Sequence, residues 1–522
     1  MWDLLLTHGV VITIDKNHTE FNDGFVAVQG ERICAIGHMS ELPQDYSAKK
    51  QIDCSGHVIM PGLVDAHGHA GHSLIRSLGD GKPGWEDLAQ TIYYECTDSE
   101  FWRAEGALAA SERLKFGTTT GVSMIGSTPR SELLEPLASH FEGAVSTGIR
   151  ELAGIGSPYG AFPKHAKWWN GQTLLREYDV TPEMAYATTE QSVKELNGIH
   201  SRQICIVAPG RMGHRPDESI EANIEHNRKM FEIASKYGVP LHTHAYEDDV
   251  EFMHRYTPEV LTPMLSLTHS TGYSDEAINI LASTGAWVFH GPSTNMHTKG
   301  HCPVYEMLKR GVNVAIVSDG SASSRSYDLW RDVKNTLLLQ RFEHRNTGIL
   351  SCGKVLEMVT IEPARALGLD KEIGSLEVGK KADIITIDYR QPHLFPFQMP
   401  VTRLVNHAMG QDVDNVIVGG EIVLHNRHFT LFDEAVILRP LAKPLVVYST
   451  SNTLVTSFSS FSLVSSTSIL TVTYDILAFS IPSGKIKATS LLLSFVIIDK
   501  SIFSVYISLI LSKTSLGPVI ST

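Results

Sequence analysis

A chain of 522 residues, 43% of them hydrophobic and 19% charged, has the material for a large packed core and is neither disordered nor fibrous. Its formal net charge of −13 disfavours nucleic acid and anionic membrane surfaces as partners, since both call for basic patches. A small neutral or cationic substrate fits that charge better.

The chain opens on Met1-Trp2-Asp3-Leu4, without the basic region of a secretion signal. The six cysteines include no C-x-x-C pair, so neither a zinc ribbon nor a thioredoxin-like motif is present. Free thiols and no leader point to a cytoplasmic protein, where the acceptor triplet Asn17-His18-Thr19 carries no meaning. Leu4 to Ile14 is apolar and β-branched, and Phe25–Val28 with Ile33–Ile36 around Gly30 reads as a hairpin. The same texture returns at Ala382–Ile387 and at Val413–Val418 with Glu421–Leu424, joined by Gly419-Gly420. One small β-sandwich domain built from residues 1–58 and 374–435 is therefore expected.

Between them strands alternate with helices. Short apolar runs end near Val64, Met124, Leu152, Val207, His244, His269, His290 and Ser318. Helical patterns intervene, such as Asp217–Tyr237 stopping at Gly238, a helix opened by Ser274-Asp275-Glu276 and closed by Gly285, and Tyr327–Arg345. Eight strands with intervening helices give a (β/α)₈ TIM-type barrel over residues 59–373, of class α/β, with the third strand the faintest. From 445 to 522 the composition shifts to Ser, Thr, Leu, Ile and Val, with no Glu, Arg, His, Trp or Cys. Its longest apolar stretch, Leu491–Leu511, is broken by Asp499-Lys500 and makes a poor membrane span.

The chemistry lies at the strand ends. Met60-Pro61-Gly62-Leu63-Val64-Asp65-Ala66-His67-Gly68-His69 delivers two histidines at i and i+2, which share a face in extended chain and can reach one ion. Alone, H-x-H is more often two unrelated polar residues; the strand and Pro-Gly turn before it change that weighting. Leu241-His242-Thr243-His244-Ala245-Tyr246-Glu247 ends another strand in histidine, with a carboxylate three residues on. His242 and His244 share a face, so either could be the ligand. Glu247 suits proton transfer, while Asp248 and Asp249 read as an acidic helix start. Further strands end in His269, in His290 and in Asp319. A lone strand-end histidine is usually structural, but this convergence at the carboxyl face of a barrel is where catalytic groups gather. Tyr159, Phe162, Trp168 and Trp169 follow the third strand and Trp85 the first; they serve either loop packing or stacking on a planar ring.

With PGLVDAHGH, HTHAYE, LTHS to HGPSTN, and SDGSAS in place, the chain resembles the amidohydrolase superfamily from about residue 3 to 435. The resemblance is to the branch of methylthioadenosine/adenosylhomocysteine deaminase, guanine deaminase and the s-triazine hydrolases. It implies metal ligation by His67, His69, His244 and Asp319, with Glu247 as proton shuttle and His269 on the attacking water or the substrate. It implies one divalent ion, zinc ahead of iron, and hydrolytic deamination of a purine, pyrimidine or triazine by a metal-activated water. A homo-oligomer is compatible with the family. The chain departs from the family after the fourth strand, where related deaminases read A-P-H and this one has Ala208-Pro209-Gly210. His214 could stand in, and His290, Trp85 and Trp168 are the other candidate substrate contacts. The rival readings are a binuclear cyclic-amide hydrolase and a barrel that binds without catalysis. The first wants a lysine on the fourth strand, which Gln203 to Pro209 lacks; the second would not keep every catalytic residue.

Overall fold

The computed structural model describes residues 1–441, apart from 82–83, 127–128, 159, 161 and 323–324, and beyond 441 the backbone of five strands. The barrel strands are β1 (Leu63–Asp65), β2 (Thr118–Ile125), β3 (Arg150–Ile155), β4 (Gln203–Val207), β5 (Leu241–Tyr246), β6 (Leu265–Thr271), β7 (Trp287–His290) and β8 (Asn313–Ile316). They pair in parallel in sequence order from β1 to β8. Being covered on both faces, they are buried along almost their whole length, and Gln203–Val207, Trp287–His290 and Asn313–Ile316 are nearly unbroken apolar runs. One set of side chains fills the barrel interior, including Val64, Val122, Leu152, Ile206, Phe289 and Ala315. The other set, including Val207, Leu241, Leu265 and Val288, packs outward.

The ring closes without a ladder between β1 and β8. Instead the Asp65 carboxylate takes the Ser318 backbone N–H at 3.0 Å and its hydroxyl at 2.6 Å. The Asp319 N–H donates to the His67 carbonyl at 3.1 Å. Closure thus draws the H-x-H segment and Asp319 together before any site chemistry is considered. After a break, His69–Ala70 rejoins β2 as a short strand.

The helices begin and end where capping chemistry says they should. Ile220–Tyr237 is capped by the Ser219 side chain and stopped by Gly238 at φ +64°. Asp275–Thr284 is capped by Ser274 and stopped by Gly285. Both chain ends supply a second sheet of nine strands, mostly antiparallel. Its N-terminal contribution runs on to Pro61, and Trp2–Ile12 pairs with Ala48–Asp53 along its first half and with His57–Pro61 along its second. The hairpins around Gly30 and Gly419-Gly420 both form.

A buried ionic cluster ties the barrel to its outer helices. Arg113 reaches Asp65 at 3.1 Å and Glu151 at 3.7 Å, while His140 bonds Glu105 and Glu151 at 3.0 Å each. Burial opposes protonation of His140, but its bonds to the two glutamates lift its pKa to about 9. A folded-state pKa above the unfolded value stabilises the fold fully below about 6.5, and that stabilisation is lost as pH rises through about 9. The melting midpoint is therefore expected to fall between pH 7 and 9.5, with up to about 3 kcal/mol at stake. His140→Gln, less stable at pH 7, should show a flatter decline over that range. An unchanged slope in the variant would remove His140 from this role.

The tail strands Phe458–Ser459, Val464–Ser466, Ile469–Ser480, Lys487–Ile497 and Tyr506–Ser512 pair, among the described residues, only with one another. The helix Glu434–Leu441 precedes them, with Glu434 salt-bridged to Lys115 at 2.9 Å. No described helix is long and apolar enough to cross a membrane. Because barrel and terminal sheet are complete before the tail begins, a chain ended at Pro444 should fold, melt and turn over like the full chain. Loss of folding on truncation would show that the tail is structural.

Candidate metal centre and active site

The carboxyl ends of the strands surround a cavity of about 930 Å³. Its floor carries His69, His244, His269 and Asp319. Nε2 of His67 and Nε2 of His69 each lie 3.2 Å from Asp319 Oδ1, and Nε2 of His244 lies 3.3 Å from Nε2 of His69. Potential ligand atoms of His67, His69 and Asp319 lie within 4.8 Å of one another, as do those of His67, His244 and His269. All five side chains are buried.

Backbone conformation and close packing hold these groups. His269 and Asp319 sit at φ +74° and +63°, and Glu247 at +47°, so three strand ends turn sharply in a region that costs a non-glycine residue energy. Gly68 is needed between the two histidines, because a Cβ there would meet Arg113 Nη2 at 2.2 Å. Gly320 lets the His72 ring pass, since a Cβ would lie 1.8 Å from its Nδ1.

The outer nitrogens of the rings are spoken for. His69 Nδ1 faces the Gly126 carbonyl at 2.8 Å and His244 Nδ1 the Gly210 carbonyl at 2.7 Å. His269 Nδ1 faces Asn295 Oδ1 at 3.2 Å, and Asn295 is itself oriented by donating to the His269 carbonyl at 3.1 Å. A carbonyl only accepts, so these Nδ1 atoms carry the protons and each Nε2 presents a lone pair. Burial lowers the pKa of His67, His244 and His269, which keeps the rings neutral. Burial opposes ionisation of Asp319, but the Arg325 guanidinium, 3.4 Å from Oδ2, holds its carboxyl well below the usual carboxylate range. Converging lone pairs and a carboxylate repel one another unless a cation sits among them. Three imidazoles and a carboxylate are the donor set of zinc or iron, so the residues fit a divalent metal ion.

The structure separates the two histidines of the HTH segment. His244 reaches the centre, whereas His242 lies deeper, its Nε2 2.6 Å from His67 Nδ1 and its ring against Phe289. Glu247 lines the cavity, exposed, with its N–H on the Thr271 carbonyl. Asp248 faces outward to His214 at 2.9 Å, and Asp249 is buried against Arg211.

The candidate substrate contacts divide. Trp85 lines the cavity, its ring edge-on to His72 at 5.6 Å. The other three do not line it. His214 stacks on Phe252 at 5.2 Å. Trp168 is buried in the hairpin Lys164–Asn170 and Thr173–Val180, with the Arg130 guanidinium 5.0 Å over its ring. His290 follows inward-facing Phe289 and by strand alternation points out of the barrel, where burial pushes its pKa down to about 3. Loop packing therefore accounts for Trp168, and also for Trp169, whose indole N–H bonds the Glu95 carbonyl at 2.6 Å. Tyr159 lies outside the described residues.

Several working groups were not read from the sequence. Thr294 donates to Asp319 Oδ2 at 2.6 Å, and Thr294 and Asn295 both belong to the GPSTN turn after β7. Polar residues straight after a strand end are the sequence signal for both. Arg325, Tyr246, Lys299 and the acidic pair Glu86–Asp87 also line the cavity. After the fourth strand, Gly210 anchors His244 through its carbonyl.

A model of the amidohydrolase family matches residues 58–423. The chain is 31% identical over 441 residues to a 5-methylthioadenosine/S-adenosylhomocysteine deaminase of Syntrophobacter fumaroxidans, covering 81% of this chain and 93% of that one. It is 30% identical to a 5'-deoxyadenosine deaminase of Methanosarcina acetivorans, covering 85% and 99%. Among solved structures, an adenosine deaminase from Xanthomonas campestris with bound zinc superposes at a TM-score of 0.72, with 23% identity over 84% of this chain and 97% of that one. The zinc complex of atrazine chlorohydrolase from Arthrobacter aurescens gives 0.70, with 22% identity over 84% and 99%. Those two likenesses show the barrel fold, and the family match over most of the chain shows more: this protein is a member of the amidohydrolase family, a hydrolase acting on carbon–nitrogen bonds other than peptide bonds.

Proposed function

We propose that the protein deaminates an amino-substituted N-heterocycle, with 6-aminopurine nucleosides the first class to test. The observation that carries this reading is the convergence of His67, His69, His244, His269 and Asp319 on one centre at the floor of a cavity that Glu247 also lines. His67, His69, His244 and Asp319 hold one divalent ion, zinc ahead of iron. When bound, that ion lowers the pKa of water toward about 7 and so supplies a nucleophile at neutral pH. One ion is favoured over two, since the fourth strand, Gln203–Val207, carries no lysine that could bridge a second.

The protein's own groups then divide the work. Asp319, fixed by Thr294 and Arg325, accepts the proton of the attacking water at its carboxylate. His269, aimed by Asn295, orients that water with its inner nitrogen. Glu247 protonates the ring nitrogen next to the reacting carbon, which makes that carbon electrophilic. Water oxygen bonds to the carbon, one water proton passes by way of the Asp319 carboxylate to the amino group, the carbon–nitrogen bond breaks and ammonia leaves. The second water proton returns to Glu247 as the carbonyl forms, and the ring nitrogen keeps the proton that Glu247 gave it. The ring keeps a carbonyl where the amine was.

The cavity is at the upper end of the range for small-molecule sites and has room for a ring with substituents. Trp85 offers it an aromatic face, Glu86 and Asp87 accept hydrogen bonds, and Arg325 donates them. The relatives named as deaminases of adenosine derivatives support a purine nucleoside. A screen of aminopurines and their nucleosides, aminopyrimidines and aminotriazines for ammonia release tests the proposal. Release from one class, abolished by chelation, is the expected result; ring opening of a cyclic amide without ammonia would favour the binuclear rival.

A further inference from the structure

We infer that His242, itself not a ligand, sets the tautomer and aim of His67 through a one-way chain of hydrogen bonds ending on a backbone carbonyl. The inference rests on reading His67 as a metal ligand. His69 and His244 are each anchored at Nδ1 by a carbonyl, which settles their tautomers directly. His67 has no such anchor. Its Nδ1 lies 2.6 Å from His242 Nε2, and two neutral imidazoles can share a proton in either sense.

The sense is decided further along. His242 Nδ1 lies 2.8 Å from Ser266 Oγ, and Ser266 Oγ lies 3.4 Å from the Leu241 carbonyl oxygen. That oxygen only accepts. Ser266 gives it its single proton and accepts from His242 Nδ1–H. His242 Nε2 is then bare, and accepts from His67 Nδ1–H. Thr268 Oγ, 3.4 Å from the same Nε2, can only add a second donor there. His67 is left with its Nε2 lone pair directed at the centre, 3.2 Å from Asp319 Oδ1. His67, His242 and Ser266 are all buried away from bulk solvent. The Phe289 ring, 5.3 Å from that of His242, fills the barrel beneath. Ligand histidines are commonly oriented by a carbonyl or carboxylate on the other nitrogen. Here β5 and β6 do it with a second histidine and a serine.

The test is zinc affinity of the full chain by competition with a chromophoric chelator, alongside the visible spectrum of the cobalt-substituted protein. His242→Phe keeps an aromatic ring but no acceptor, and should bind zinc about 10–100-fold more weakly. His242→Gln, whose amide oxygen can take the place of Nε2, should recover most of that loss. Ser266→Ala leaves the His242 ring free to take the opposite tautomer, and should weaken binding and shift the cobalt bands. Wild-type affinity in His242→Phe, or equal weakening in His242→Phe and His242→Gln, would overturn the inference, the latter by reducing His242 to packing. Should His242→Phe not fold, Ser266→Ala decides: unchanged affinity and spectrum overturn it. A wild-type protein that binds no zinc would overturn the metal reading itself and this with it.

Discussion

Replacing Glu247 by glutamine is expected to lower kcat at least about 100-fold, the lower end of what general acid–base catalysis contributes. The change keeps side-chain size and most hydrogen bonding, and removes only the capacity to shuttle a proton. Glu247 follows β5 at φ +47°, its N–H tied to the Thr271 carbonyl, so the residue is held at the cavity by its backbone rather than by its carboxylate. Its loss should leave melting and metal content unchanged. Steady-state kinetics with elemental analysis of the same preparation check both halves. Near-normal turnover in the variant would defeat the assignment. Asp248 and Asp249 would not inherit it readily, since one faces outward to His214 and the other is buried against Arg211.

The second large effect concerns the centre itself. Asp319→Ala and His67→Ala should each deplete the ion from about one per chain and abolish turnover, a loss of several orders of magnitude. Asp319 is the more consequential of the two. Its carboxylate touches His67, His69, Thr294 and Arg325 at once. Removing its carboxylate also leaves the buried Arg325 guanidinium without its acidic partner, so a lower melting point should accompany metal loss. Elemental analysis settles the stoichiometry. Two ions per chain in the wild type would move the reading to a binuclear centre, and full occupancy in Asp319→Ala would remove that residue from the ligand set.

The barrel was legible because its strands are buried on both faces, so that runs such as Gln203–Val207, Trp287–His290 and Asn313–Ile316 stand out in sequence as nearly unbroken apolar stretches. The run read as ending near Leu152, the faintest of the eight, forms Arg150–Ile155. Strand ends were legible too, because a histidine or aspartate closing an apolar run stands out. Depth along the barrel was not. His242 and His244 share a face by strand parity, and only the stagger of β5 against β6 and β1 decides which reaches the centre. His290 failed as a candidate for a related reason: its neighbour Phe289 points inward, so alternation turns the histidine out. Among the aromatics, Trp85 and Trp168 carry the same signal in sequence, but hairpin packing buries one while the other faces the cavity. Thr294 and Asn295 end no strand, and they act through bonds to Asp319 and His269, so their roles exist only once those two are in place.

Metal-dependent deamination is tested most directly by ammonia release from 5'-deoxyadenosine and 5'-methylthioadenosine, then from simpler aminopurines, aminopyrimidines and aminotriazines, by zinc-loaded and chelator-stripped protein side by side. One ammonia per heterocycle consumed, a ring carbonyl in the product, and activity that disappears on stripping and returns with zinc are the expected results. No ammonia from any member of the set by protein carrying its full complement of metal would contradict metal-dependent deamination.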